Sequence, residues 1–248
     1  MPYLDVRGVR SYHETSGEGP PVVLLHGGYC SLEVLRPLSE SLATGYRVYA
    51  AERPGHGRTP DREGGYSFAE SVGDTLAYLD VLGLEDAHLV GYSDGGVIGL
   101  LLARDHPERV CSLVAIGVNV DPSGFVSDDL HERAMPAEPM NVIIEQYDAL
   151  SPDGPEHATV VTEKLHAMYA VEPDLPAESL GAIDVPTLIM AAQHDMVALE
   201  HTALIVSSIP GAQLCIVPGA SHLLVLERPR LAGQVVREFL DGLGDRRG

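Results

Sequence analysis

Lysine is nearly missing from this chain. Lys164 stands alone beside fifteen arginines, and 36 aspartates and glutamates take the formal net charge to −20. That balance excludes the broad basic surface needed to release phosphate counterions, so no nucleic-acid partner is expected. The lysine shortage itself reads as lineage bias before function. Cysteine is scarce too. Cys30, Cys111 and Cys215 are odd in number and far apart, which speaks against a disulfide framework and suits a reducing cytosol. No apolar run approaches the roughly 18 residues of a membrane helix. The start, Met1-Pro2-Tyr3-Leu4-Asp5, has neither the basic nor the apolar stretch of a leader. A cytoplasmic location with no membrane partner is therefore expected. Zinc-type Cys/His spacing and a phosphate-cradling Gly-Lys loop are also missing, so neither metal nor cofactor is called for.

What is present suits a globular enzyme. A chain of 248 residues, 45% hydrophobic, buries a full core as one domain or as one domain with an inserted lobe. Residues 2–8 and 9–16 alternate in polarity and predict a hairpin joined near Gly8. The pattern then changes to short, continuously apolar strands at 22–25, 47–51, 87–92, 110–118, 187–192 and 213–217. Helical stretches lie between or after them, at 31–44, 67–82, 96–104, 200–208 and 229–240. Strands without polar alternation, interleaved with helices, indicate an α/β fold whose mostly parallel sheet is covered on both faces. Residues 119–183 break this rhythm. Seven prolines, from Pro122 to Pro176, punctuate helical stretches at 140–150 and 156–170. A structureless loop of that length is improbable inside a domain, so an inserted helical lid is expected there.

The most informative feature is Gly91-Tyr92-Ser93-Asp94-Gly95, at the end of one apolar run and the start of a helix. A serine on a tight strand-to-helix turn is forced into strained backbone angles that lift its hydroxyl clear of the sheet. The residues two positions away on either side lie too close for side chains, hence Gly91 and Gly95. The turn also leaves the Asp94 amide at a helix N-terminus, where unpaired N–H groups and the dipole favour a developing oxyanion.

Active residues of an open α/β sheet gather at the carboxyl ends of its strands. Four segments obey that rule together. Leu24-Leu25-His26-Gly27-Gly28 ends one strand in a glycine turn, and Ser93 ends another. Gln193-His194-Asp195 and Pro218-Gly219-Ala220-Ser221-His222 end two more. The chain order is Ser93, Asp195, His222.

That order, with Arg53-Pro54-Gly55-His56-Gly57 after an earlier strand, resembles the α/β-hydrolase superfamily over nearly the whole chain. The resemblance implies a core of residues 1–118 and 184–248, with the lid at 119–183. It also implies a serine hydrolase acting on a small carboxylic ester, thioester, lactone or amide. Ser93 would be the nucleophile and His222 its base. Asp195 would fix the imidazole tautomer. The amides of Asp94 and Gly28 would form the oxyanion hole, Tyr29 being the alternative to Gly28. Asp121 competes with Asp195, since some members carry their acid after the earlier strand. His26 and His56 fit turn-shaping roles, and Cys30 fits packing.

Gly91 to Gly96 further resembles the amino-acid ester hydrolases related to valacyclovir hydrolase. On that reading Asp94 would also bind a substrate ammonium, helped by the thirteen acidic residues of 119–183. Carbon–carbon bond hydrolases and haloperoxidase-like members share the same triad. A non-hydrolytic, ligand-sensing protein on this fold is the contrasting class. Proline iminopeptidases fit less well, because Tyr29 and Cys30 follow Gly28 where they carry a proline.

Overall fold

The structure is a computed structural model that describes residues 2–244. Its chain opens as a hairpin, β1 (Tyr3–Val6) and β2 (Val9–Ser16), registered Val6 to Val9. Both linking residues, Arg7 and Gly8, have positive φ (52° and 84°), the backbone of a tight hairpin turn whose twist matches its strands. β2 then pairs antiparallel with β4 (Arg47–Ala51).

The remaining strand pairings of the sheet are parallel. They join β3 (Pro21–Leu25), β4, β5 (Ala87–Tyr92), β6 (Val110–Ile116), β7 (Thr187–His194) and β8 (Gln213–Ser221). The spatial order is β1-β2-β4-β3-β5-β6-β7-β8. Sequence therefore runs one way from β3 to β4 and the other way from β5 onward. The loops leaving β3 and β5 part there and open a crevice at the carboxyl edge, the usual ligand position in open α/β sheets.

The continuous apolar runs have a simple cause: both faces of the sheet are buried. Val23, Leu25, Leu89, Leu113 and Ala115 point into one core with α2 (Phe68–Leu82) and α3 (Asp94–Asp105). Val22, Leu24, Val90, Val114 and Ile116 point into the other, with α1 (Arg36–Leu42) and the C-terminal helices. α2 starts where Ser67 accepts the Glu70 amide at 3.1 Å and stops at left-handed Gly83, both ordinary capping chemistry.

Three of the boundaries that differ from the sequence expectation have a local cause. The helix expected over 31–44 is a 3-10 turn, Leu32–Leu35, followed by α1. Pro37 lacks an amide proton, and its ring would clash with the carbonyl four residues back, so the two cannot fuse. β6 ends at Ile116 rather than 118, because Gly117 turns left-handed (φ 63°). β8 runs on to Ser221 through a register irregularity opposite β7, where Pro218 and Gly219 sit in place of regular ladder residues.

Between β6 and β7 the chain forms α4 (Asp128–Ala134), α5 (Ala137–Leu150) and α6 (Ala158–Tyr169). The sequence had pointed to α5 and α6 but not to α4. This segment is pinned to the loop before α2. The chain's one lysine, Lys164, donates to Asp61 at 2.6 Å and to the Arg62 carbonyl at 2.7 Å. His157 meets the same carboxylate at 2.9 Å, and Glu172 accepts the Phe68 amide at 2.7 Å. α7 (Leu199–Ser208), a short α8 (Leu224–Glu227) and α9 (Pro229–Gly242) complete the fold. No helix among the described residues is long and apolar enough to cross a membrane.

Candidate active site

Ser93 sits between β5 and α3 with φ 53° and ψ −120°, a conformation costly for any residue with a Cβ. Its neighbours explain how the strain is held. A Cβ on Gly91 would meet the Gly95 carbonyl oxygen at 2.1 Å, and one on Gly95 would meet the Leu25 carbonyl oxygen at 2.0 Å. Helix, strand and turn thus press together at the serine, and its own amide is tied to the Ile116 carbonyl at 2.7 Å.

His222 lies one residue past β8 and Asp195 one residue past β7. Ser93 Oγ is 3.1 Å from His222 Nε2, and His222 Nδ1 is 2.6 Å from Asp195 Oδ1. Ser93 donates to Nε2 in the tautomer whose Nδ1 proton points to the aspartate. Asp195 is almost wholly buried and also accepts the amides of Ala192 (3.0 Å) and Val197 (3.2 Å). Burial pushes its pKa up, but His222 and those amides outweigh burial and hold the carboxyl below its ordinary range. His222 is fixed from behind by the Tyr92 ring, 5.4 Å away, whose hydroxyl donates to the His222 carbonyl. α4 holds it from outside, through the His222 amide and the Ala134 carbonyl. Asp121 is elsewhere. Its carboxylate caps the turn Pro122–Gly124, accepting the Ser123 amide at 2.8 Å.

The turn after β3 packs on the serine: a Cβ on Gly27 would lie 3.2 Å from Ser93 Cβ. Among the described residues, the amides of Gly28, Tyr29 and Asp94 donate to no protein acceptor. His26 is deeply buried, and desolvation keeps its pKa well below the usual range. Its Nε2 accepts the Arg53 amide, so Nδ1 carries the proton and donates to the Gly27 carbonyl at 2.8 Å. His56 is likewise held neutral by burial, at about 3, and its Nδ1 bonds the Pro54 carbonyl. Both histidines shape turns. Burial, then the nearby Asp94 charge, pushes the Cys30 thiol up to about 12, leaving it an unionised packing group.

The Asp94 carboxylate already has protein partners. Arg53 Nη2 approaches it at 3.4 Å, and the Tyr169 hydroxyl lies 3.0 and 2.9 Å from its two oxygens. Burial raises its pKa, with Arg53 and then Tyr169 opposing that rise.

Ser93, His222, Asp94 and Tyr169 line a cavity of about 430 Å³. Its floor is Ser93, His222 and the β3 turn, and its roof comes largely from 119–183: Met135, Met140, Ile143, Ile144, Leu165 and Tyr169. Asp94 is the one carboxylate among its described lining residues, so the described acidic side chains of 119–183 do not line it. Among the described residues, no group of three His, Cys, Asp or Glu side chains is arranged to hold a metal ion.

Three residues at the site escaped the sequence reading. Arg53 opens a motif that was noticed only as a loop. Gly117 carries the signal of a glycine ending an apolar strand. Tyr169 offers none.

Comparison with known proteins agrees with this fold. Residues 20–154 match the family described as the alpha/beta hydrolase fold. A pimeloyl-[acyl-carrier protein] methyl ester esterase of Aeromonas hydrophila is 30% identical over 91% of this chain and 89% of its own. The enol-lactonase of Burkholderia xenovorans superposes with a TM-score of 0.80 at 25% identity, over 97% of this chain and all of that one. Carboxylesterase CesB of Bacillus subtilis gives 0.74 at 27% identity, covering 97% and 90%. The chain belongs to the alpha/beta hydrolase fold family and is an enzyme of the hydrolase class.

Proposed function

We propose that this chain is a serine hydrolase of small, neutral carboxylic esters or lactones. One observation carries the reading: the hydrogen-bonded series Ser93–His222–Asp195 at the floor of a largely apolar cavity. Ser93 Oγ attacks the substrate carbonyl while His222 Nε2 takes its proton. Asp195 stabilises the imidazolium that forms. The tetrahedral oxyanion is held by the amides of Asp94 and Gly28. The Gly27 carbonyl is bound by His26 and Arg53, and a trans peptide directs its N–H opposite to its C=O, which favours Gly28 over Tyr29 as the second donor. His222 returns the proton to the leaving alkoxide, and water then releases the acid by the same relay. Every step uses protein groups and water.

Residues 119–183 act as the lid on this reading, supplying the apolar roof that receives the acyl chain. Asp94 positions rather than binds substrate, since Arg53 already balances its charge. Neutral acyl groups are therefore the preferred class. A cytosolic location fits three cysteines that form no disulfide among the described residues.

The test is labelling with a fluorophosphonate, located by mass spectrometry, together with turnover of p-nitrophenyl esters of increasing acyl length. Ser93 should be the labelled residue. Each methylene buried in the cavity is worth about 0.8 kcal/mol, about fourfold in kcat/KM, until the cavity is full. A protein that neither labels nor turns over any ester or lactone is a ligand-binding member of the fold, and the proposal fails.

A further inference from the structure

The turn expected to hold the oxyanion is gripped by side chains from far along the chain. From below, Arg53 Nη2 donates to the Gly27 carbonyl at 2.9 Å and reaches Asp94 at 3.4 Å. From above, α6 brings the Tyr169 hydroxyl onto the Asp94 carboxylate at 2.9 and 3.0 Å. That hydroxyl lies directly against the turn, because a Cβ on Gly28 would fall 1.9 Å from it. From α5, Tyr147 stacks on Tyr29 at 4.8 Å and 11°. The two residues that would supply the oxyanion amides, Gly28 and Asp94, are thus bridged through one buried carboxylate. The helix holding that carboxylate from above belongs to 119–183.

We propose that Tyr169 is a positioning residue for acyl transfer: through Asp94 and Arg53 its hydroxyl fixes the Gly27–Gly28 peptide, so the oxyanion hole is complete only with α6 seated over the cavity. This rests on Ser93 being the nucleophile. Four steps carry it. Tyr169 is buried beside a carboxylate and keeps its proton, so it acts as a donor. A hydroxyl has one proton, and both Asp94 oxygens are within reach of it, so that proton is committed to Asp94 rather than to a substrate oxygen. Asp94 is the first residue of α3, so the carboxylate that Tyr169 holds shares a residue with the amide that has no protein acceptor. Arg53 carries the constraint across to the Gly27 carbonyl, and the rigid peptide plane converts that into a direction for the Gly28 N–H. Preorganised donors of this kind act on the transition state far more than on the bound ester.

Tyr169→Phe removes the hydroxyl and keeps the ring. Its effect is read in four measurements: kcat and KM on a p-nitrophenyl ester, the rate of Ser93 phosphonylation by a fluorophosphonate, the affinity of an alkyl boronic acid that mimics the tetrahedral adduct, and the melting temperature. The expected result is a loss of about tenfold in kcat, a fraction of the 10²–10³ that removal of a whole donor costs. Phosphonylation and boronate affinity should fall by a similar factor, with KM within about twofold of the original. In an Asp94→Asn background the same substitution should cost less than it does alone, because the charged link is already broken. Unchanged kcat and boronate affinity in Tyr169→Phe would overturn the proposal. So would a raised KM at unchanged kcat, which would make Tyr169 a substrate contact. Strictly additive losses in the double variant would do the same. Failure of the nucleophile assignment shows separately, as labelling that survives in Ser93→Ala.

Discussion

Gly117 ends β6 in the left-handed region, and the space its missing side chain leaves is filled by the histidine ring. A Cβ there would lie 2.9 Å from His222 Cε1, 3.0 Å from Nδ1 and 3.5 Å from Asp195 Oδ2. Carbon atoms rest at about 3.5–4.0 Å, so Gly117→Ala must displace the ring by about 0.6 Å or more. The ring has little freedom to give way. Asp195 holds one edge at 2.6 Å, the Tyr92 ring lies behind it, and the Ala134 carbonyl ties its backbone. The displacement therefore falls on the 3.1 Å contact with Ser93. A misplacement of 1 Å can cost about 10² in rate, so this shift should lower kcat by about tenfold or more. The left-handed backbone adds its own cost of about 1–2 kcal/mol in stability, or about 2–8 °C in Tm for a chain of this size. Gly83→Ala separates the two effects. Gly83 has a similar φ of 68° and no atom within 4 Å of the added Cβ, so it should lose comparable stability and keep full activity. Steady-state kinetics on a short acyl ester with a parallel thermal melt reads both. A Gly117→Ala enzyme with the original kcat and a lowered Tm would refute the claim that the ring is held without slack.

Other outcomes follow from the same geometry. Ser93→Ala and His222→Ala should each remove nearly all esterase activity without unfolding, and the double variant should lose little more, since relay members act as a unit; additive losses would refute a shared mechanism. Asp195→Asn should lower kcat by about 10³–10⁴ through the wrong histidine tautomer, while Asp121→Asn stays near the original rate; the opposite ranking would move the acid to Asp121. Des-amino esters should be hydrolysed at least as well as α-amino esters, measured as kcat/KM; a strong preference for the amino esters that vanishes in Asp94→Asn would make Asp94 an ammonium site despite Arg53. For Asp61, burial acts upward, but hydrogen bonds from Lys164, Tyr66 and His157 outweigh it and hold the carboxyl at about 2, below its ordinary 3.8. A depressed carboxylate stabilises the fold fully above the unfolded value and loses that contribution as pH falls through about 2, here about 2 kcal/mol. Lys164→Met should therefore destabilise at pH 7 and lose its deficit on acidification, read by denaturant titrations at several pH values; a deficit independent of pH would assign the loss to packing.

The proposed relay was legible because its parts are local. A serine between two glycines after an apolar run, and an aspartate and a histidine at two later strand ends, each announce a place on the carboxyl edge without knowledge of any distant partner. The strands were legible for a similar reason: burial on both faces leaves runs such as Val22–Leu25 without polar alternation. What stayed hidden is made by contacts across long stretches of chain. Pro37 splitting a helix is a local event, and the proline itself is its only mark in the sequence. Gly117 could be recognised as a strand terminator, yet nothing nearby says that a histidine 105 positions later fills its missing side chain (222 − 117). Asp94 makes the point most sharply. Its position beside the nucleophile was plain, and a lone carboxylate there reads as a cation site. Whether it is free depends on Arg53, 41 residues earlier, and Tyr169, 75 residues later. With both in place, the same carboxylate becomes the bridge between the two candidate oxyanion amides. The acidic count of 119–183 says little about the cavity for the same reason, because none of its described carboxylates lines it. Charge composition reports what a segment carries, and the fold decides which of those charges a substrate meets.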